Sequence, residues 1–203
     1  MKKKKKKQPN WLGIIVGFGL ICGSFWFSLS KLVTVVSPIF EKTTQNPSTV
    51  TKKEFLKQLA PHAQELQEGY GILPSIILGQ AILESNWGTS ELASEYKNLF
   101  GVKAYGNQAA VSLDTKEYVD EQWIVIKGSF RVYDSWAESM DEHTLLLLHG
   151  VSWNPRKYEK VLTASDYKVA AQALQDAGYA TDPTYAEKIK DVIESYQLDQ
   201  YDR

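Results

Sequence analysis

Glu84 has the surroundings in this chain that most favour acid–base chemistry. It follows an apolar segment, residues 76–83, which is predicted to form a buried helix because apolar residues occupy nearly every side of it. Apolar surroundings favour the protonated carboxyl, which is the form that a general acid needs. On the residues alone, a helix-terminal glutamate paired with a lysine or a backbone amide is an equally good interpretation.

Other chemical motifs are not evident in the sequence. His143 and His149 are six residues apart, which is not the spacing of a His-Glu-x-x-His zinc motif. The chain has one cysteine, so neither a Cys–His zinc site nor a disulfide framework is predicted. We therefore expect no metal and no cofactor.

Composition and charge limit the class of protein. The chain has 203 residues, of which 43% are hydrophobic and 12% aromatic, which predicts a folded protein rather than a disordered one. Residues 1–40 hold seven lysines and no acidic residue, which leaves 16 basic against 24 acidic residues in positions 41–203. Positive charge confined to one end is not the basic surface of a nucleic-acid-binding protein.

The N-terminus has the pattern of a membrane segment. Lys2–Lys7 precede an uncharged run of 19 residues, 11–29, with a tryptophan near each end. At about 1.5 Å per residue this run nearly spans a hydrocarbon core of about 30 Å, and the lysines are expected to stay in the cytoplasm. We predict a cytoplasmic polybasic tail over residues 1–10, a transmembrane signal-anchor and its flank over 11–36, and a linker over 37–50. The alternative is a cleaved secretory signal, and in either case we expect the rest of the chain to be extracellular.

Residues 51–203 are predicted to form one mainly helical α+β domain. Helix starts are indicated at Thr51, Pro61, Pro74, Ser135, Asp166 and Asp182. Between them, residues 111–119 and 123–133 are rich in β-branched and aromatic side chains, which predicts a β-hairpin inserted in the middle of the domain.

Several motifs occur in a fixed order along this domain. They are Gln80–Gly88 (QAILESNWG), Asn98–Lys103 (NLFGVK), Thr115–Tyr118, Phe130–Ser135 and Ala177–Ala186. Together they resemble the glucosaminidase domain of glycoside hydrolase family 73, and the resemblance covers nearly all of residues 51–198. It implies a lysozyme-like helical core and a bacterial hydrolase that cuts peptidoglycan at the β-1,4 bond between N-acetylglucosamine and N-acetylmuramic acid. One departure is Asn86, where the family commonly has glycine.

The resemblance also implies roles for individual residues. Glu84 resembles the general acid of the family, and Glu117 resembles the hairpin carboxylate that is proposed to activate water. Tyr179 resembles the active-site tyrosine, with Tyr185 as the alternative if the helical register differs. The candidates for substrate binding are Trp87, Asn98, Phe100, Tyr118, Trp136 and Tyr185.

The mechanism and two other functions stay open at this point. The sequence does not define the separation of the two carboxylates, so both an inverting mechanism and attack by the substrate's own 2-acetamido group are compatible with it. The alternative functions are a catalytically silent glycan-binding or wall-assembly scaffold and a lytic transglycosylase. A buried acid together with a hairpin carboxylate favours the hydrolase, since a pure binding protein needs neither.

Overall fold

The computed structural model describes residues 51–119 and 122–203. Its elements in chain order are α1 (Lys52–Tyr70), α2 (Pro74–Ser85), α3 (Glu91–Ser94), β1 (Ala110–Val119), β2 (Gln122–Arg131), α4 (Trp136–His149), α5 (Glu159–Leu162), α6 (Tyr167–Asp176), α7 (Tyr185–Tyr196) and a 3-10 turn (Leu198–Tyr201). The prediction of a mainly helical domain with an inserted hairpin is confirmed.

The predicted membrane segment and linker lie outside the described residues. Within the described part of the chain, no helix combines the length and the apolar character needed to cross a bilayer.

Helix α2 is the centre of the domain. Ten of its 12 residues are buried, and it packs against α1, α6 and α7. Gly79 allows α7 to approach closely, because a Cβ at that position would lie 3.2 Å from Cγ1 of Ile193. A glycine inside a helix costs roughly 0.5–1 kcal/mol relative to alanine, and this close contact is what the glycine permits. The helix that carries Glu84 is therefore held on several sides.

Local capping signals define most helix starts. Thr51 and Glu54 form the predicted capping box of α1, and Ser135 and Asp166 accept hydrogen bonds from backbone N–H groups at the starts of α4 and α6. Helix α7 begins at Tyr185 rather than at Pro183, because Asp182 caps the preceding turn by accepting from the Thr184 amide.

The predicted helix start at Pro61 is wrong, because α1 runs through Pro61 without interruption. Proline removes one i→i−4 hydrogen bond and usually breaks a helix. Here Pro61 is exposed, and so is Lys57, the residue whose carbonyl loses its i→i−4 partner. Phe55 and Leu59 before the proline and Ala63 and Leu66 after it are buried on one continuous face. Packing of that face keeps the two halves of α1 in line.

The hairpin is an antiparallel pair in continuous register, from Ala110 opposite Arg131 to Val119 opposite Gln122. Alternate residues of a strand share a face. On the inward face Phe130 is buried, and the ammonium of Lys103 lies 4.2 Å from the centre of its ring. This contact connects the hairpin to the loop that follows α3.

Candidate active site

Glu84 lies in the last turn of α2, where the chain turns sharply. Asn86, Trp87 and Gly88 follow with φ angles of 49°, 62° and 74°, all in the left-handed region. Asparagine tolerates this conformation better than most residues, so the turn accepts Asn86 without requiring a glycine. Any side chain at Gly88 would clash, because a Cβ there would lie 2.7 Å from the ring of Trp136. A bulky residue at positive φ, as at Trp87, carries backbone strain of the kind that clusters at functional sites.

The carboxyl of Glu84 is held from α7. The Tyr185 hydroxyl donates to Oε1 of Glu84 at 2.7 Å, and Nε2 of Gln80 donates to the same hydroxyl oxygen at 3.0 Å. Lys188, one turn after Tyr185 on α7, lies close enough for its charge to act on Glu84, and its ammonium is paired with Asp182. The acid thus has a hydrogen-bond donor on one oxygen and a cation nearby.

Burial controls the protonation of Glu84. It raises the pKa of this carboxyl from its usual 4.5 to about 8, even though the Tyr185 hydrogen bond and the Lys188 charge both act to lower the pKa. Glu84 therefore keeps its proton at neutral pH. A residue that is only partly buried and still protonated can give that proton to a bound substrate.

The structure brings Tyr185, rather than Tyr179, to the acid. Tyr179 is fully buried, and its ring stacks on Tyr185 at a centroid distance of 5.6 Å. It also makes an edge-on contact with His143 at a centroid distance of 5.8 Å, and His143 stacks on Phe100 at 4.0 Å. Burial lowers the pKa of His143 to about 3, so this histidine is neutral and part of the core. Tyr179 therefore packs against the ring of Tyr185, whose hydroxyl contacts Glu84.

Glu117 and Tyr118 lie on β1, opposite Ile124 and Trp123. Their side chains are outside the described residues. The role predicted for Glu117 stays a prediction.

Trp87 and Trp136 belong to an aromatic cluster beside the turn after Glu84. Both rings pack edge-on against Phe55, at centroid distances of 5.8 and 5.3 Å. Trp87 also contacts Tyr196, and the Trp136 indole donates to the carbonyl of Ala93 at 2.9 Å. Both residues are partly exposed, so sugar stacking on them stays a prediction. Each ring also packs against other aromatic or backbone groups of the domain.

Two of the predicted substrate-binding residues are placed in the interior instead. Phe100 is fully buried between the core and His143, which leaves no ring face for a sugar. Asn98 is 1% exposed, and its amide bonds to the carbonyls of Val102 and Arg131 and to the Val102 amide. Asn98 closes the loop before the hairpin. In the structure both residues pack or hydrogen-bond inside the domain.

Gln80 and Lys188 are the site residues that sequence reasoning missed. Gln80 lies four residues before Glu84 and so on the same helix face, which is a detectable signal, but a glutamine there has no characteristic chemistry. Lys188 becomes relevant only because α7 packs against α2. Across residues 51–119 and 122–203, no group of three or more His, Cys, Asp or Glu side chains is arranged to hold a metal ion.

The chain is similar to known proteins in both sequence and structure. Residues 60–198 match the glucosaminidase family model, described as mannosyl-glycoprotein endo-beta-N-acetylglucosaminidase. The chain is 43% identical over 201 residues to the exo-glucosaminidase LytG of Bacillus subtilis, covering 99% of this chain and 70% of that protein. It is 32% identical to a probable N-acetylmuramidase of Lactococcus lactis, covering 98% of this chain but only 46% of that protein. The catalytic domain of the autolysin Auto from Listeria monocytogenes superposes with a TM-score of 0.68 at 37% identity, covering 82% of this chain and 100% of the other.

Proposed function

The chain belongs to the glucosaminidase family of glycoside hydrolases, and on that premise we propose that it cleaves peptidoglycan between N-acetylglucosamine and N-acetylmuramic acid. We propose an endo-acting enzyme in cell-wall remodelling. Glu84 is its general acid. The observation that carries this proposal is a partly accessible carboxyl, kept protonated by burial, with Tyr185 donating to one of its oxygens.

The proposed reaction begins with proton transfer from Glu84 to the glycosidic oxygen. The bond from that oxygen to the anomeric carbon breaks, the leaving sugar departs as an alcohol, and positive charge develops on the remaining ring. Glu84 is left as a carboxylate, which the Tyr185 hydrogen bond and the Lys188 charge stabilise at this stage. These two groups therefore help most when the proton has left, which is the requirement for catalysis.

The second half of the proposed reaction has two forms. In one, Glu117 removes a proton from a water molecule that attacks the anomeric carbon. In the other, the oxygen of the 2-acetamido group attacks first and water opens the resulting ring. Position 117 lies on β1 opposite Ile124, and both forms of the second half stay open.

The names of the relatives differ in which glycosidic bond is cleaved and in whether the enzyme acts at chain ends or within the chain. LytG is named an exo-glucosaminidase, and the Lactococcus protein is named a probable N-acetylmuramidase. The family model, which covers most of the domain, favours cleavage that leaves a reducing N-acetylglucosamine end. We propose the same cleavage for this chain.

Product analysis of digested sacculi by mass spectrometry tests the proposal, with Glu84→Gln as the inactive control. Reducing N-acetylglucosamine ends on strands of mixed length are expected. Disaccharides released from the start would indicate exo attack, and reducing muramic acid ends would indicate the muramidase bond. Anhydro-muramyl ends would indicate a lytic transglycosylase, and no new ends would indicate a silent scaffold.

We also propose that the enzyme is a single-pass protein of the bacterial membrane with its domain outside. The support is the order of the N-terminal segments: Lys2–Lys7, then the uncharged run 11–29, then the linker 37–50. A flexible linker of this length spans about 20 Å, at roughly 5–6 Å times the square root of its residue number. Glu84 would then act on glycan strands close to the membrane.

A further inference from the structure

Gln80 is a polar residue with an unusual position in the centre of the domain. It is fully buried on α2, one turn before Glu84. Its Nε2 donates to the Tyr185 hydroxyl oxygen at 3.0 Å, and that hydroxyl donates to Oε1 of Glu84 at 2.7 Å. The three side chains thus form a hydrogen-bond chain that starts and ends on α2 and passes through α7.

The direction of this chain decides where the acid carries its proton. A tyrosine hydroxyl has a single proton to donate. When its oxygen accepts from the Gln80 amide, that proton is directed to Oε1 of Glu84. Since Oε1 then acts as an acceptor, the transferable proton of Glu84 is placed on Oε2, the oxygen not held by Tyr185.

We propose that Gln80 is a positioning residue that orients the Tyr185 hydroxyl toward Glu84 and so keeps the acidic proton on Oε2, available to the substrate. This inference rests on the proposed role of Glu84 as general acid. Gln80 itself is fully buried and acts only through Tyr185.

The other half of the Gln80 amide supports this interpretation. Its Oε1 is buried and has no hydrogen-bond partner among the described residues. A buried carbonyl without a partner destabilises a protein, and the neighbouring Ile76, Ile77 and Ala81 are apolar and buried. An apolar side chain would therefore suit the site better for stability. A residue that weakens the fold while serving an acid is typical of functional sites.

Gln80→Glu tests the direction of the chain with a side chain of the same shape. When the introduced carboxyl is neutral, it donates to Tyr185 as the amide does. When it is ionised it can only accept, so the Tyr185 hydroxyl donates its hydrogen bond to residue 80, and the hydroxyl oxygen then accepts a hydrogen bond from the protonated Glu84 instead. Burial raises the pKa of the introduced carboxyl as it does that of Glu84, so its ionisation is followed independently by its infrared C=O band. We expect kcat near the wild-type value while this carboxyl is neutral and a fall in kcat as it ionises. A kcat that does not fall when the carboxyl ionises would overturn the proposal.

Gln80→Met tests the same role by removing both the Nε2 donor to Tyr185 and the buried Oε1 that has no hydrogen-bond partner. We expect kcat to fall roughly 10- to 100-fold, the range associated with small misplacements of catalytic groups. KM should stay unchanged because the residue is buried, and Tm should stay the same or rise. Gln58→Met, at an exposed position of α1, is the matched control.

Three results separate the remaining possibilities. A folded Gln80→Met protein with wild-type kcat overturns the proposal. So does a lower Tm for Gln80→Met combined with a kcat of Gln80→Glu that stays unchanged on ionisation, since that pattern indicates packing alone. Should Gln80→Met not fold, the isosteric Gln80→Glu variant decides. Glu84→Gln is assayed beside them: if it is active, the proposed function fails, whereas if it is inactive while both Gln80 variants behave as wild type, only the present inference fails.

Discussion

Replacing Glu84 with glutamine should abolish hydrolysis and, at the same time, make the domain more stable at alkaline pH. The amide has nearly the volume of the carboxyl and can still accept the hydrogen bond from Tyr185. It has no proton to give to the glycosidic oxygen. General acid catalysis is worth roughly 10²- to 10⁴-fold in rate, which is the loss we expect in kcat.

The stability effect follows from the pKa of Glu84, which burial raises from 4.5 to about 8. A folded-state pKa above the unfolded value means that the native state holds the proton more tightly, so this contribution to stability is complete below about pH 4.5 and is lost as the pH rises to about 8. At about 1.36 kcal/mol per pKa unit the loss would approach 5 kcal/mol. Because Glu84 keeps some solvent contact, we expect about 2 kcal/mol.

The assay compares thermal unfolding of wild type and Glu84→Gln across that pH range. For a domain of this size about 1 kcal/mol shifts Tm by roughly 2–4 °C, so the Tm advantage of the variant should grow by about 5 °C between pH 4 and pH 9. Glu159→Gln, an exposed glutamate on α5, is the control and should show a constant difference. A Glu84→Gln advantage that does not change with pH would refute the raised pKa, and near-normal turnover of sacculi by the folded variant would remove Glu84 from its role.

Three further predictions concern the rest of the proposed machinery. If Glu117 activates water, Glu117→Gln should lose as much kcat as Glu84→Gln, whereas attack by the acetamido group predicts a much smaller loss; full activity of this variant would exclude a two-carboxylate scheme. Tyr185→Phe removes the donor to Glu84, so we expect a kcat loss of roughly 10-fold or more, in line with one lost hydrogen bond. Tyr179→Phe should lose less, and the reverse order in kinetic assays would contradict the placement of the two rings. The full-length protein should stay in the membrane fraction after a high-salt wash, because salt screens lysine–lipid attraction but not apolar burial; recovery in the medium with a new N-terminus near Lys31 would indicate a cleaved signal.

The parts of the protein that the sequence determined by itself are those with local signals. Capping side chains lie within a few residues of the amides they bind, so Thr51, Ser135 and Asp166 define helix starts without help from the rest of the chain. Runs of β-branched residues predicted the hairpin for the same reason. The apolar character of α2 also predicted a buried helix ending at an acid, which is the central feature of the site.

Tertiary structure decided what depends on residues distant in sequence. The choice between Tyr179 and Tyr185 rests on a hydrogen bond between positions 101 residues apart. Burial of Glu84 in the folded domain, which raises the pKa of its carboxyl, likewise exists only once the helices have packed together. Packing on one face overrode the local preference of Pro61 and kept α1 continuous. Local propensities are worth fractions of a kcal/mol per residue, whereas burial of a core side chain is worth about 1.5–3 kcal/mol, so the long-range contacts prevail where the two disagree.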